Sequence, residues 1–338
     1  MGNCTALCSG TNDTKKEKLQ ELSHHTGAAS GIISKELVNQ EYEKVLRMQE
    51  LDMQGLNLEK EKGSTHSNSI EEENNHELPN FKQCDDTEGA ADSKSDNLRK
   101  KLPPHKYKSG AVYTGEWLND MRDGVGIQEW PDNSKYVGQW RNDKAHGTGK
   151  MYHADGDIYE GEWFEDKAQG QGMYTRVNGA VFEGGWLNDK QDGQGCERWP
   201  DGAYYEGNFQ NGQKEGQGTL HFADGSIYEG DFSKNEINGY GFYKWIDGKS
   251  YDGNWKNNKM CGKGLLKWGD GRVYRGEFLN DKRQGMGEFT WKDGRIYKGQ
   301  WENGKQHGIG VFCDNENARK RKGEWASGKR VRWIQEDE

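Results

Sequence analysis

The stretch YEGEWFEDKAQGQGMYTRVNGAV, Tyr159 to Val181, sets two rings around a glycine at its head, then a charged middle, a Gly-x-Gly and a closing Asn-Gly. Read alone, it invites comparison with a phosphate-cradling glycine loop. Its neighbours decide otherwise. YVGQWRNDKAHGTGKMYHADGDI from Tyr136 and YTGEWLNDMRDGVGIQEWPDNSK from Tyr113 carry the same pattern, 23 residues each, without a gap. The frame continues through Phe182, Tyr205, Tyr228, Tyr251, Tyr274 and Tyr297, giving nine copies over residues 113–319. A partial tenth, KGEWASGK from Lys322, follows a one-residue slip. A fixed period of this length is the signature of a repeat architecture.

Within the frame, position 1 is Tyr or Phe, position 3 Gly, position 5 Trp or Phe, and positions 12 and 14 Gly, in all nine copies. Recurrence of this kind speaks of backbone geometry, not of nine sites of chemistry. Ring, polar, Gly, polar, ring has period two, which predicts a strand with the rings and glycine on one face and Glu, Gln, Asp or Lys toward water. A second strand is expected over about positions 14–19, where position 18 is Trp130, Trp199, Phe222, Trp245, Trp268 or Trp291 in six copies. Asp-Gly at positions 20–21 predicts a two-residue type I′ turn, and charged segments such as LNDMRD from Leu118 a looser turn at the other edge. Glycine inside a strand costs roughly 0.5–1 kcal/mol relative to Ala. The expected return is that rings from adjacent repeats lie flat on the bare backbone and give a one-layer sheet its core. The predicted fold is all-β: an elongated, twisted, single-layer antiparallel β-meander of tandem hairpins.

The motifs YEGEW, GQG and the closing DG resemble the MORN (membrane occupation and recognition nexus) repeat family over residues 113–319. The resemblance is specific for fold and weak for activity. MORN arrays stand beside kinase, methyltransferase and exchange-factor domains or alone as scaffolds, so it implies a binding ribbon.

Outside the array the composition changes. Residues 1–33 read as a flexible, acylated-type N-terminus. Residues 34–60, with SKELVNQEYEKVLRMQELDMQG, carry an imperfect apolar stripe and predict one helix; 61–106 reads as linker, and the array occupies 107–333. The first residues, MGNCTALCSG, resemble dually acylated cytosolic proteins: myristoylation at Gly2, palmitoylation at Cys4 and Cys8. A single acyl chain binds membranes only marginally, so the second signal matters. Ala6 departs from the favoured Ser or Thr. The six cysteines show no framework spacing and are expected as thiols. A net charge of −9 spread along the chain argues against a nucleic-acid partner.

Two surfaces are candidates for binding. The basic run from Arg319, comprising Arg319, Lys320, Arg321, Lys322, Lys329, Arg330 and Arg332, can meet anionic lipid headgroups, phosphoinositides among them, or protect an open sheet edge. On the ring face, Tyr159, Trp163, Tyr205, Tyr228 and Trp255 are candidates for a partner-binding groove that takes an amphipathic helix or another ribbon. Nothing suggests catalysis, a cofactor or a metal: GKGLLKWG from Gly262 lacks the strand-loop-helix context of a nucleotide site, and the histidines fall in different registers. The expected function is a non-catalytic scaffold anchored to the cytosolic face of a membrane, plasma membrane or cell cortex, whose ribbon binds a protein partner or forms a homo-oligomer. The alternatives are a cytoskeletal or ciliary structural protein, and a phosphoinositide-binding or lipid-kinase-related protein.

Overall fold

Within each unit the copies fold into antiparallel pairs, a seven-residue strand followed by a nine-residue strand, as in Ile158–Phe164 and Lys167–Thr175. The computed structural model describes residues 98–316 and 318–335, in two compact units, 98–149 and 150–335. The acylated-type N-terminus 1–33, the helix expected over 34–60 and most of the linker lie outside the described residues. In the first unit, Val112–Leu118, Met121–Glu129 and Lys135–Arg141 pair in chain order. In the second, every strand from Ile158–Phe164 to Lys329–Trp333 pairs antiparallel with its neighbours in sequence. The described chain is thus an all-β meander of tandem hairpins.

The two turns exchange the geometries expected of them. The second strand begins at position 9, five residues early, because the charged segment closes in a two-residue turn with both residues left-handed. Asn119 and Asp120 have φ of 51° and 60°, Glu165 and Asp166 49° and 68°, Lys234 and Asn235 51° and 69°. Positive φ at both central residues defines type I′, whose twist matches the flanking strands. The Asp-Gly end is the longer one. The Gly202 N–H donates to the Trp199 carbonyl and the Trp199 N–H to the Ala203 carbonyl, at 3.0 and 2.9 Å, and only Gly202 is left-handed (φ 92°). This is a type I turn closed by a glycine bulge.

The early start of the second strand is absorbed by a bulge. Gly161 pairs with Gly172 and Trp163 with Ala168, so three residues, 169–171, oppose Glu162. Gly170 at position 12 takes up the distortion with φ 67°, and the Glu162 carboxylate, expected to face water, accepts the freed Gln171 N–H at 3.0 Å. A Cβ on Gly170 would stand 2.4 Å from that carboxylate. The same position-4 clamp recurs at Gln139, Asp231 and Gln300.

Positions 3 and 14 are glycine for a different reason. The ring of position 1 lies over both in its own repeat, not over the adjacent one as expected, because it leans along its own strand. A Cβ on Gly172 would meet Tyr159 Oη at 2.5 Å, and one on Gly218 would meet Tyr205 Oη at 2.4 Å. Each hydroxyl then donates to the position-4 carbonyl, Tyr159 to Glu162 at 2.9 Å and Tyr205 to Asn208 at 3.1 Å. Within each unit, edge-to-face contacts link position-1 rings to the position-5 rings of their own and the next repeat, as Tyr205 does with Phe209 (5.2 Å) and Phe232 (4.9 Å). Position-5 indoles also bond backward: Trp255 Nε1 donates to the Gly241 carbonyl and Trp301 Nε1 to that of Gly287, at 3.2 and 3.1 Å.

Residues 98–111, placed by sequence partly in the linker, form a degenerate half repeat. Lys100–Lys101 and His105–Lys106 pair with Val112–Leu118, and the Tyr107–Ala111 turn has the same two hydrogen bonds as Trp199–Ala203. Pro103 and Pro104 interrupt the strand because neither can donate to the ladder. Where an inner repeat offers its position-14 carbonyl, this one offers nothing, and the buried Trp117 Nε1 has no acceptor.

Candidate partner-binding surface

Four of the five rings expected to form a groove are core. Tyr159, Tyr205, Tyr228 and Trp255 are 2%, 0%, 0% and 6% exposed, packed among rings of their own and neighbouring repeats, and only Trp163 is half-buried. Burial pushes the Tyr159, Tyr205 and Tyr228 phenols far above their ordinary value. The surface available to a partner on this face is therefore the next row out, at positions 16, 18 and 22.

In the second unit that row is aromatic and half-buried: Tyr174, Trp199, Phe222, Trp245, Trp268, Trp291, Phe312 and Trp333 pack on the core from one side only. From Trp268 to Trp333 it is continuous by ring contact, with Trp268 to Phe289 at 5.6 Å, Phe289 to Trp291 at 4.7 Å, Trp291 to Phe312 at 6.0 Å and Phe312 to Trp333 at 6.4 Å. Strand alternation puts positions 16 and 18 on the face of positions 1, 3 and 5, and the bulged turn carries position 22 back over position 18. Three successive copies use that to set a cation on an indole: Lys249 on Trp245 at 4.2 Å, Arg272 on Trp268 at 5.2 Å and Arg295 on Trp291 at 5.5 Å. Each contact of this kind contributes roughly 0.5–1 kcal/mol when exposed. Asp270 and Asp293 pair with Arg272 and Arg295, both at 2.8 Å. Farther back in the row, burial and then its hydrogen bond to Asp157 raise the Tyr174 phenol to about 12.

The basic run from Arg319 is divided by the same alternation. Arg321 pairs opposite Phe312 and Arg330 opposite Trp325, on the ring face, whereas Lys322 lies opposite Val311 and Arg332 opposite Glu324, on the reverse. Arg321 and Arg330 both stack on Trp333, at 4.5 and 4.3 Å, and Arg321 and Arg332 are ion-paired to Asp314 and Glu324. Contiguity in sequence does not become one patch in space. Arg319, Lys320 and Lys329 are exposed.

The residues missed by sequence reading are the cations at positions 10 and 22 and the rings at position 16. A signal for part of the set was present: Trp-x-Asp-Gly-Lys/Arg occurs three times in succession, from Trp245, Trp268 and Trp291. Among the described residues, no group of three or more His, Cys, Asp or Glu could hold a metal ion, and no helix is long and apolar enough to cross a membrane.

No curated protein matches the chain by sequence. Among solved structures, the TCP10 domain of CPAP from Danio rerio is similar at 10% identity and a TM-score of 0.34, over 59% of this chain and 94% of that one. The SAS-4 (dCPAP) TCP domain of Drosophila melanogaster, in complex with a proline-rich motif of Ana2 (dSTIL), is similar at 16% identity and a TM-score of 0.30, over 54% and 100%. The MORN repeat family matches residues 113–135, 136–158, 159–181, 182–204, 205–227, 228–250, 251–271, 274–294 and 297–317, one match to each copy of the 23-residue frame. With its glycine columns, ring row and nine family matches covering more than half its length, the chain belongs to the MORN repeat family.

Proposed function

We propose that this protein is a non-catalytic repeat scaffold that binds a protein partner along the outer aromatic row of its second unit and is tethered to the cytosolic face of a membrane by acylation at Gly2, Cys4 and Cys8. The observation that carries the binding half is the row itself. Indoles half-buried from Trp199 to Trp333 and edged by cations match the side-chain types that dominate protein recognition. A contiguous aromatic surface of this kind is kept in water at a cost in solubility, which a partner removes. The tether rests on the MGNCTALCSG pattern, in which two or more acyl chains give durable attachment.

The two halves are tested separately. For the tether, cells expressing the chain are labelled with an alkyne myristate analogue and fractionated beside the Gly2→Ala form. Label on the parent only, with loss of membrane association in the variant, supports it; no label and equal fractionation overturns it. For binding, proximity labelling compares the parent with Trp268→Ala/Trp291→Ala. A neighbour lost from the variant while its thermal midpoint stays within a few degrees supports the row, and an unchanged neighbour set overturns it.

A further inference from the structure

Three copies place a cation at position 10, under the outer aromatic row: Arg122, Lys214 and Arg283. Two of them face a carboxylate. In the first unit, the Arg122 guanidinium lies 4.0 Å from the Trp140 ring centroid; its Nε donates to Asp143 Oδ1 at 3.2 Å and its Nη2 to the Asp143 carbonyl. In the second unit, Lys214 Nζ is 2.6 Å from the Glu197 carboxylate and 4.8 Å from the Trp199 ring. Arg283 repeats the Arg122 arrangement, 4.2 Å over Trp301 with Nη2 donating to the Gly304 carbonyl at 2.6 Å. The turn residue that supplies the carboxylate to Arg122 is here a glycine. Among the described residues, nothing accepts from Nε or Nη1 of Arg283.

The space where that carboxylate would stand is open. A Cβ built on Gly304 meets no atom within 4 Å, and a concavity of about 330 Å³ adjoins it, lined by Arg283, Trp268, Phe289, Trp291 and Trp301. Burial pushes the Arg283 guanidinium below its ordinary value and Arg272 adds to the effect, with Tyr274 opposing. A half-buried cation without a counter-ion is the costly member of an ion pair, and an arriving carboxylate removes that cost. Charge-assisted Arg–carboxylate hydrogen bonds are also among the strongest available.

We propose that this concavity recognises an Asp or Glu side chain on an extended segment of a protein partner, with Arg283 as its ligand and the segment's apolar flanks on Trp268 and Trp291. The inference rests on the protein-binding reading of the aromatic row and deepens it. Charge count favours a peptide carboxylate over a polyphosphorylated headgroup. Arg272 and Arg295 are already paired with Asp270 and Asp293, which leaves one guanidinium and the bordering Lys305, and the walls are indole and phenyl.

The test uses the full chain, panned against random linear peptides displayed on phage. Enriched peptides are synthesised with their Glu→Gln or Asp→Asn analogues and titrated by tryptophan fluorescence. The decisive variant is Gly304→Asp, which sets an internal carboxylate where Asp143 stands. Asp is accepted with positive φ at the same turn position at Asp120, Asp143, Asp166, Asp189 and Asp281, so the variant keeps the fold. The expected result is enrichment of acidic peptides, about tenfold or more weaker binding of the amide analogues, and a similar loss in both Gly304→Asp and Arg283→Gln. The thermal midpoint of Gly304→Asp should be unchanged or raised. Peptides that bind Gly304→Asp as well as the parent overturn this site and leave the scaffold reading standing; a chain that enriches no peptide counts against both. Binding of phosphatidylserine or phosphoinositide vesicles that Gly304→Asp abolishes, and that acidic peptides do not compete, overturns the proposal in favour of lipid.

Discussion

The fourth and fifth copies, beginning at Phe182 and Tyr205, have the same hairpin and different chemistry. Phe182 packs edge-to-face on Trp186 and Phe209 at 5.4 and 5.0 Å, much as Tyr205 packs on Phe209 and Phe232 at 5.2 and 4.9 Å, but it has no hydroxyl to give the position-4 carbonyl. Position 4 is Gly185 in one and Asn208 in the other, so the fourth copy also has no side chain to clamp its bulge. At position 16 the fourth copy buries Glu197, 7% exposed and paired with Lys214 and Arg176 at 2.6 and 3.4 Å, where the fifth has Leu220. The glycine register is nevertheless identical: Gly184, Gly195 and Gly207 pair in line, as do Gly207, Gly218 and Gly230. Backbone glycine and ring packing set the hairpin. The hydroxyl and the clamp are increments on it, and the Glu197–Lys214 pair ties the fourth copy to the fifth by other means.

The largest expected effect comes from charging the ring row. Burial raises the phenols of Tyr205, Tyr228, Tyr251 and Tyr274, whereas Phe182 has nothing to ionise. A raised folded-state pKa means that the folded chain holds its protons where the unfolded chain has lost them. The stability is therefore complete below the unfolded value of about 10 and is lost as the pH rises from there toward the folded value. Circular dichroism followed with increasing alkali should show cooperative unfolding above about pH 10. Replacing Tyr205, Tyr228 and Tyr251 by Phe together should move that transition to higher pH even though the variant is less stable at neutrality. A transition that stays in place would assign the alkaline limit to other groups.

Next in size is the buried pair. Lys214→Met leaves Glu197 in the ring layer with Arg176 as its remaining partner, and should cost about 3 kcal/mol in denaturant unfolding. Glu197→Leu/Lys214→Met should recover most of that loss, because a packed apolar pair is often as stable as a buried ionic one. Equal midpoints for the single and double variants would show that the pair does not substitute for the missing clamp. The glycine column is expected to be indifferent to the comparison. A Cβ at Gly195 would stand 2.6 Å from Phe182 Cε2 and one at Gly218 2.4 Å from Tyr205 Oη, so Gly195→Ala and Gly218→Ala should each lose about 2 kcal/mol. A markedly cheaper Gly195→Ala would mean that the fourth copy is looser than its register suggests.

The period, the strands, the ring face and the glycine columns were legible because each is a strict recurrence of residue type. The turns were not. Sequence reading gave the type I′ geometry to Asp-Gly because glycine tolerates positive φ without strain, yet Asn and Asp tolerate it as well. The pair at positions 7–8 is disguised as charged loop by Glu165 and Lys234, which the turn forces into the same geometry. The half repeat at 98–111 was hidden by Pro103 and Pro104, which break its frame and leave only Tyr107 and Gly110 to mark the turn. The candidate site was illegible for a related reason: position 10 is Arg122, Ala145, Ala168, Gln191, Lys214, Ile237, Met260, Arg283 or Gln306, a sequence with no pattern until the strand start at position 9 puts all of them on one face. The central rings, by contrast, looked like a groove because alternation identifies a shared face without telling which members of it the neighbouring repeats cover.

The smallest effect is the most discriminating. Tyr205→Phe removes the bond to the Asn208 carbonyl and should cost about 1 kcal/mol, the usual net value of one such hydrogen bond. The reverse change, Phe182→Tyr, brings a hydroxyl toward the carbonyl of Gly185 and should gain somewhat less, about 0.5 kcal/mol, because the acceptor strand there lacks the side chain that holds the bulge in the other copies. If Phe182→Tyr instead destabilises by about 1 kcal/mol or more, the hydroxyl has been buried without its acceptor. Gly185→Glu should not supply the missing clamp, since a Cβ there would lie 2.1 Å from the Asp192 carbonyl oxygen, and Phe182→Tyr/Gly185→Glu should therefore be less stable than Phe182→Tyr. A double variant as stable as Phe182→Tyr or better would mean that the bulge between Gln191 and Gly195 shifts to admit a position-4 side chain, and that only the choice of glycine keeps the clamp out of the fourth copy.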